Sequence, residues 1–339
     1  MKKVRFIRAI GIMNIHHEAR RRYNIGSGEL GIPEDIFNNP MTLIPISVVN
    51  EWYSRLERLT GNPDVILDLA RDHEVSRAGA ISHWLLSGSD FASTIRRLNY
   101  GLSSLQNGAF LSASISGSII KWSYRNPHVE PSCKAHDSIR MAMILVKVMR
   151  MYLGDDFAPL RVRLSGIRKD HSKYVTYFGC DVDWSHSCTE IWFHSDLRLV
   201  SKQQSQIQKG RLAMNFADLD ELLNMPDPED EVKVIYEVIN YSRYYGLPTL
   251  EHVSSLLAMS PQQLQRALRK LGMNFSTVCG YVLSNIAVSM LAKGVDTDTV
   301  ARRLGYQNTA SFNRMFKKNR GMTPSQYIQH FALDGQRVN

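Results

Sequence analysis

The stretch Leu304–Tyr327, LGYQNTASFNRMFKKNRGMTPSQY, decides the fold. Phe312, Met315 and Phe316 recur at the spacing of one helix face, while Ala310, Asn313, Arg314 and Lys317 share the opposite side. Asn308 stands where an N-cap belongs. The aromatics hold such a helix to a core, leaving amide and guanidinium groups to face the edges of bases. Thr309, near the helix N-terminus, suits a base edge or a phosphate, and Lys317, Lys318 and Arg320 suit backbone phosphates. Just upstream, DTDTVARR with Asp296 as N-cap supplies the first helix of a helix-turn-helix pair.

The same plan occurs once more, in TLEHVSSLLAMSPQQLQRALRKLG, Thr249–Gly272. Ser260 as N-cap, Pro261 at the first helical position and Gln263 three residues on predict a capping box, and Gly272 closes the helix. Leu264, Ala267, Leu268 and Leu271 form the inward stripe, whereas Gln262, Gln265, Arg266 and Arg269 occupy the other face. Arginine matches guanine O6 and N7, and glutamine matches adenine N6 and N7. A polar face on one isolated helix is ordinarily just solvated; two capped units of the same design point to a reading surface. The helix expected between them, Asn274 to Lys293, spans about 20 residues, roughly 30 Å. Successive major grooves on one side of DNA recur every ~34 Å, so both units can reach adjacent grooves.

Charge agrees with this. Glu231–Ala332 carries twelve Lys or Arg against five Asp or Glu, so most of the chain's +9 is concentrated in under a third of its length. A basic field of that kind favours a phosphate backbone through counter-ion release. Two prolines and four acids in NMPDPEDE, Asn224–Glu231, mark a boundary, and the polar SKQQSQIQKG upstream extends it. The expected division is 1–205, a linker at 206–229, and 230–333. In the first part, residues 80–105 and 138–154 read as helices, and 110–124, 160–166 and 188–195 as strands. The predicted fold class is α+β: a mixed α/β sensor domain, then an all-α domain with two helix-turn-helix units on a linker helix.

These residues also carry a resemblance. Residues 233–330 resemble the DNA-binding domain of the AraC/XylS family of transcription regulators, through MSPQQLQRALRKLGMNF, the Gly305-aromatic pair, the Phe312/Phe316 core and Gly321-Met-Thr-Pro-Ser. The resemblance implies base contacts at Gln262, Gln263, Gln265 and Arg266, then at Thr309, Ala310, Asn313 and Arg314; Ala310 offers a methyl group where a polar residue is more common. YVTYFGCDVDWSHSCTEIWFHSDLRLV, Tyr174–Val200, and ISHWLLSGSDFASTIRRLNYGL resemble the arabinose-binding-type sensor domain of one branch, over about residues 20–205. That implies a small organic effector, homodimerisation and activation through RNA polymerase.

The remaining expectations concern alternatives. Four irregularly spaced cysteines and the absence of a signal-like start or an apolar run of spanning length suit a reduced, cytoplasmic protein with no membrane partner. Cys180, His186 and Cys188, with His171 or His194, lack a close Cys-x-x-Cys pair, so no metal is expected; nor is a cofactor or a catalytic residue. His16-His17 beside Arg20-Arg21-Arg22 reads as a solvated basic face. Two rival functions remain: an amino-terminal domain used only for oligomerisation or protein contacts, and a DNA-repair alkyltransferase fused to the DNA-binding module, which would need an activated Cys133, Cys180 or Cys188.

Overall fold

The computed structural model describes residues 4–71, 79–201 and 216–335. The chain forms two compact units, Arg5–Met225 and Pro226–Asn339. In the first, a short antiparallel pair joins β1 (Phe6–Arg8) to β2 (Leu43–Pro45), with Ile7 opposite Ile44. Around it lie α1 (Met13–Tyr23), α2 (Ile46–Thr60), α3 (Val65–Ala70), α4 (Gly79–Leu86) and α5 (Phe91–Leu105).

Next come β3 (Phe110–Ser116), β4 (Ile119–Arg125), α6 (Lys134–Leu153), β5 (Arg161–Arg163), α7 (Ser172–Phe178), β6 (Val182–Asp183) and β7 (Thr189–His194). The sheet order is β3-β4-β7-β5-β6, antiparallel except for the β5/β6 pair. Alternation along β4 buries Ile120, Trp122 and Tyr124, and along β7 Thr189, Ile191 and Phe193, giving the sheet one apolar face. Phe91 at the start of α5 meets Trp122 and Phe193 on that face. There α6 contributes a buried Asp137 that accepts from Arg140 at 2.7 Å, Tyr124 at 2.9 Å and Tyr53 at 3.4 Å, tying α2, β4 and α6 together. Pairing and hydrogen bonding are what make such a buried charge tolerable.

Of the expected linker at 206–229, residues 206–215 lie outside the described residues, and α8 (Phe216–Leu223) is helical and packs on α4 and α5. Leu222 enters a small core with Met41, Ile81 and Leu85. Arg8, almost wholly buried, donates to the carbonyls of Glu221 and Leu222 at 2.6 and 3.1 Å, of Ser104 at 2.7 Å and of Met41 at 2.8 Å. One guanidinium thus satisfies the last carbonyls of both α5 and α8, where a cation also suits the helix dipole.

The second unit is helical throughout its described residues: α9 (Glu231–Ser242), α10 (Leu250–Leu256), α11 (Pro261–Lys270), α12 (Phe275–Ala292), α13 (Thr297–Arg303), α14 (Thr309–Arg320) and α15 (Pro324–Gly335). By length and composition α12 is apolar enough to cross a membrane, contrary to the expectation that no run is. Its apolar residues instead pack against α9, α13, α14 and α15.

Candidate nucleic-acid interface

Both pairs, α10/α11 and α13/α14, begin their second helix with the side-chain caps that orphaned N–H groups require. Ser260 Oγ accepts from the Gln263 N–H at 3.2 Å, and Gln263 Oε1 accepts from the Ser260 N–H at 2.8 Å, completing the capping box. Asp296 accepts from the Thr299 N–H and Asn308 from the Ser311 N–H, as the sequence predicts. The turn of the second pair depends on Gly305, at φ +86°. A Cβ there would lie closer than 3.0 Å to the backbone of Gly246 and Leu247, in the loop before α10. Arg243, from the same loop, donates to the Arg303 carbonyl at 3.0 Å. The second pair is therefore docked on the element that introduces the first.

In α11, Leu264 and Leu268 are fully buried, while Gln262, Gln263, Gln265, Arg266 and Arg269 are exposed. Among the described residues, no side-chain partner engages Gln262, Gln265, Arg266 or Arg269. Gln263 differs, because its carbonyl oxygen is committed to the cap. Leu271 departs from the expected inward stripe: α11 ends at Lys270, and Leu271, outside the helical repeat, is 40% exposed.

In α14, Phe312 and Phe316 are fully buried, their rings stepping from Tyr306 to Tyr327. Ala310, Arg314, Lys317 and Lys318 are exposed, and Thr309 and Asn313 are half-buried. Thr309 donates to Asp298 Oδ1 at 2.5 Å, which holds α14 to α13, and Arg314 donates to Ser311 Oγ at 3.1 Å. Arg320, expected to meet phosphate, is half-buried and donates to Asn285 on α12. Sequence reading also missed a second capping box, in which Thr323 and Gln326 exchange backbone-to-side-chain bonds at 2.9 and 3.3 Å around Pro324. Its signal was present, since Thr323-Pro-Ser-Gln repeats the spacing of Ser260-Pro-Gln-Gln.

The other candidate chemistries are tied into structure. Among the described residues no group of three or more His, Cys, Asp or Glu is arranged to hold a metal. Burial pushes the Cys180 thiol up to about 11 and raises that of Cys188, away from the thiolate a nucleophile needs. Cys133 is buried and its thiol donates to the Asn50 carbonyl at 3.3 Å. Of the stretch read as a solvated basic face, His17, Arg21 and Arg22 are exposed, the two arginines pairing with Glu18, whereas His16 is buried and the half-buried Arg20 pairs with Glu34.

Two capped helix-turn-helix pairs on one connecting helix, in a chain that also carries a separate α/β unit, define a DNA-binding protein with an additional domain. Residues 28–199 match the model described as the arabinose-binding domain of AraC transcription regulators, just over half of the chain, and residues 253–330 match a helix-turn-helix domain model. The chain belongs to the AraC family of transcription regulators, the branch with an arabinose-binding-type amino-terminal domain. It is 36% identical over 135 residues to the uncharacterized HTH-type transcriptional regulator Rv1395 of Mycobacterium tuberculosis, covering 40% of this chain and 39% of that protein. With the HTH-type transcriptional regulator GadX of Escherichia coli it shares 30% identity over 114 residues, 33% of this chain and 41% of that one. The chain thus spans about two fifths of the length of these relatives. The transcriptional regulator CdpR from Pseudomonas aeruginosa aligns over 94% of this chain and 98% of its own, at 18% identity and a TM-score of 0.43.

Proposed function

We propose that this protein is a cytoplasmic, homodimeric transcription activator that reads a two-part promoter site through α11 and α14. An effector bound in residues 5–225 controls it, and its bound form contacts RNA polymerase. The observation that carries the DNA-reading part is the unpartnered, exposed row of Gln262, Gln265, Arg266 and Arg269 directly opposite the buried Leu264 and Leu268. Long side chains with their donors free are what base edges require, and an arginine pair at this position suits guanines. In this reading Gln263 preorganises the helix start rather than contacting a base, since its oxygen is already bonded.

On α14, Arg314 and Asn313 are assigned to base edges, Ala310 to a thymine methyl, and Lys317 and Lys318 to phosphates. Thr309, held by Asp298, presents the helix N-terminus to a phosphate. Effector control draws support from the family and from the anchoring of α8: the last helix before the DNA-binding unit is held by residues of the sensor unit itself.

A reconstituted transcription reaction tests this reading. A duplex that the protein selects is placed upstream of a weak promoter and transcribed by bacterial RNA polymerase. More transcript with the protein present is expected; a fall would identify a repressor instead. Sedimentation of the free protein is expected to show a dimer, and a monomer at micromolar concentration would remove the dimer from the proposal.

A further inference from the structure

Residues of α1, α4, α5 and α6 and of the turn after β1 line a partly open cavity of about 170 Å³. Its wall is mostly hydrocarbon, with Leu85, Leu98, Leu102 and Leu105 from α4 and α5, and Met141 and Ile144 from α6. A well-packed domain rarely keeps apolar space of this size, and a cavity of about 150 Å³ lined by such side chains holds benzene. Polar residues on the wall are Asn14, Ser82, Gln106, Lys147 and, where α6 meets the turn, Arg140. Its Nη2 is paired with Asp137 at 2.7 Å and its Nε with Tyr53 at 3.0 Å, whereas its Nη1 makes only a 3.3 Å bond to the Gly11 carbonyl and its contact with Gln106 is 3.4 Å. The charge is thus matched, and what Arg140 keeps for a ligand is one weakly used donor.

We infer that this cavity binds a weakly polar hydrocarbon about the size of a substituted benzene ring, carrying a single uncharged hydrogen-bond acceptor that faces Arg140. This rests on reading residues 5–225 as a sensor. Despite the family's description, the mostly apolar wall disfavours a sugar here: a pentose brings several hydroxyls against a lining in which leucine, isoleucine and methionine predominate. Each hydroxyl left unbonded costs roughly tenfold or more in affinity. A carboxylate is disfavoured as well, because Asp137 shares the Arg140 guanidinium it would need. The cavity is also suited to signal within its unit. Leu85, Leu98 and Leu105 line it and also belong to the cluster around Leu222 of α8, so filling it braces the helices that hold α8.

Titration calorimetry of the full chain with acetophenone, benzoate and L-arabinose tests the inference. Acetophenone is expected to bind one per chain with a dissociation constant below about 1 mM, benzoate at least about tenfold more weakly, and arabinose not at all. Leu105→Phe and Ile144→Phe, at two half-buried wall positions, should each abolish acetophenone binding. A thermal melt shows which of the two remains folded. Acetophenone giving no heat, arabinose binding in its place, or acetophenone binding undiminished in a folded variant would each overturn the proposal. If acetophenone binds but the affinity for a selected duplex is unchanged, the ligand class stands while effector control by that site falls.

Discussion

Arg266 and Lys318 are both exposed cations on the second helices of their pairs, yet the chemistry assigns them different work. Arg266→Ala should cost about 1–3 kcal/mol on the preferred duplex and relax the preference at one base pair. Lys318→Ala should weaken every sequence alike and lower the salt slope by about one. Binding isotherms on matched and scrambled duplexes at several salt concentrations separate the two. Uniform loss in both would place the reading face elsewhere. Gly305 acts through the fold instead: alanine there meets a left-handed backbone and the Gly246–Leu247 main chain together. Gly305→Ala should destabilise by roughly 2–5 kcal/mol, the sum of backbone strain and overpacking. Urea unfolding would measure it, and a loss under about 1 kcal/mol would mean that the loop yields.

At the scale of the element, the caps decide where reading helices begin. Ser260→Ala should cost about 1 kcal/mol of stability, since one orphan N–H loses its acceptor. Gln263→Ala should cost stability too but leave base preference intact. A changed preference in the selected duplexes would return Gln263 to the reading face. These elements were legible because their signals are local: Ser260-Pro261, Asp296 and Asn308 are start chemistry, and Phe312 and Phe316 keep helical spacing. Other features were not, because tertiary partners create them. The three-residue β1 and β2 are too short to show alternation, and α8 is held by Arg8, more than two hundred residues earlier. Arg320 has the sequence position of a phosphate ligand, but Asn285 of α12 accepts its hydrogen bond. The Gly305 contact with a loop about sixty residues earlier is likewise invisible to periodicity.

At the scale of the whole molecule, the first unit should lose stability in acid. Burial lowers the pKa of both His16 and His136 in the first unit to about 4. Each is held neutral in a defined tautomer: Nδ1 of His16 accepts from Trp52 while Nε2 faces Glu34, and Nδ1 of His136 accepts from Arg168 while Nε2 faces Glu57. Between the unfolded value near 6.5 and the folded value the unfolded chain binds more protons, so stability is fully present above that window and falls as pH drops through it. The loss approaches roughly 3 kcal/mol per histidine by pH 4. Urea midpoints of the first unit's transition at pH 7.5 and pH 5 are expected to differ, and His16→Gln should flatten the dependence; equal midpoints would mean the rings are charged in the fold. The claim on which everything else depends is that the second unit reads sequence with both helix pairs. Selection of bound duplexes from a random library by the full protein, at near-physiological salt to suppress non-specific binding, tests it most directly. The expected result is a two-part motif with its halves one helical turn apart, about 10–10.5 base pairs. A bound pool with no enriched motif, or with only one half, would contradict it.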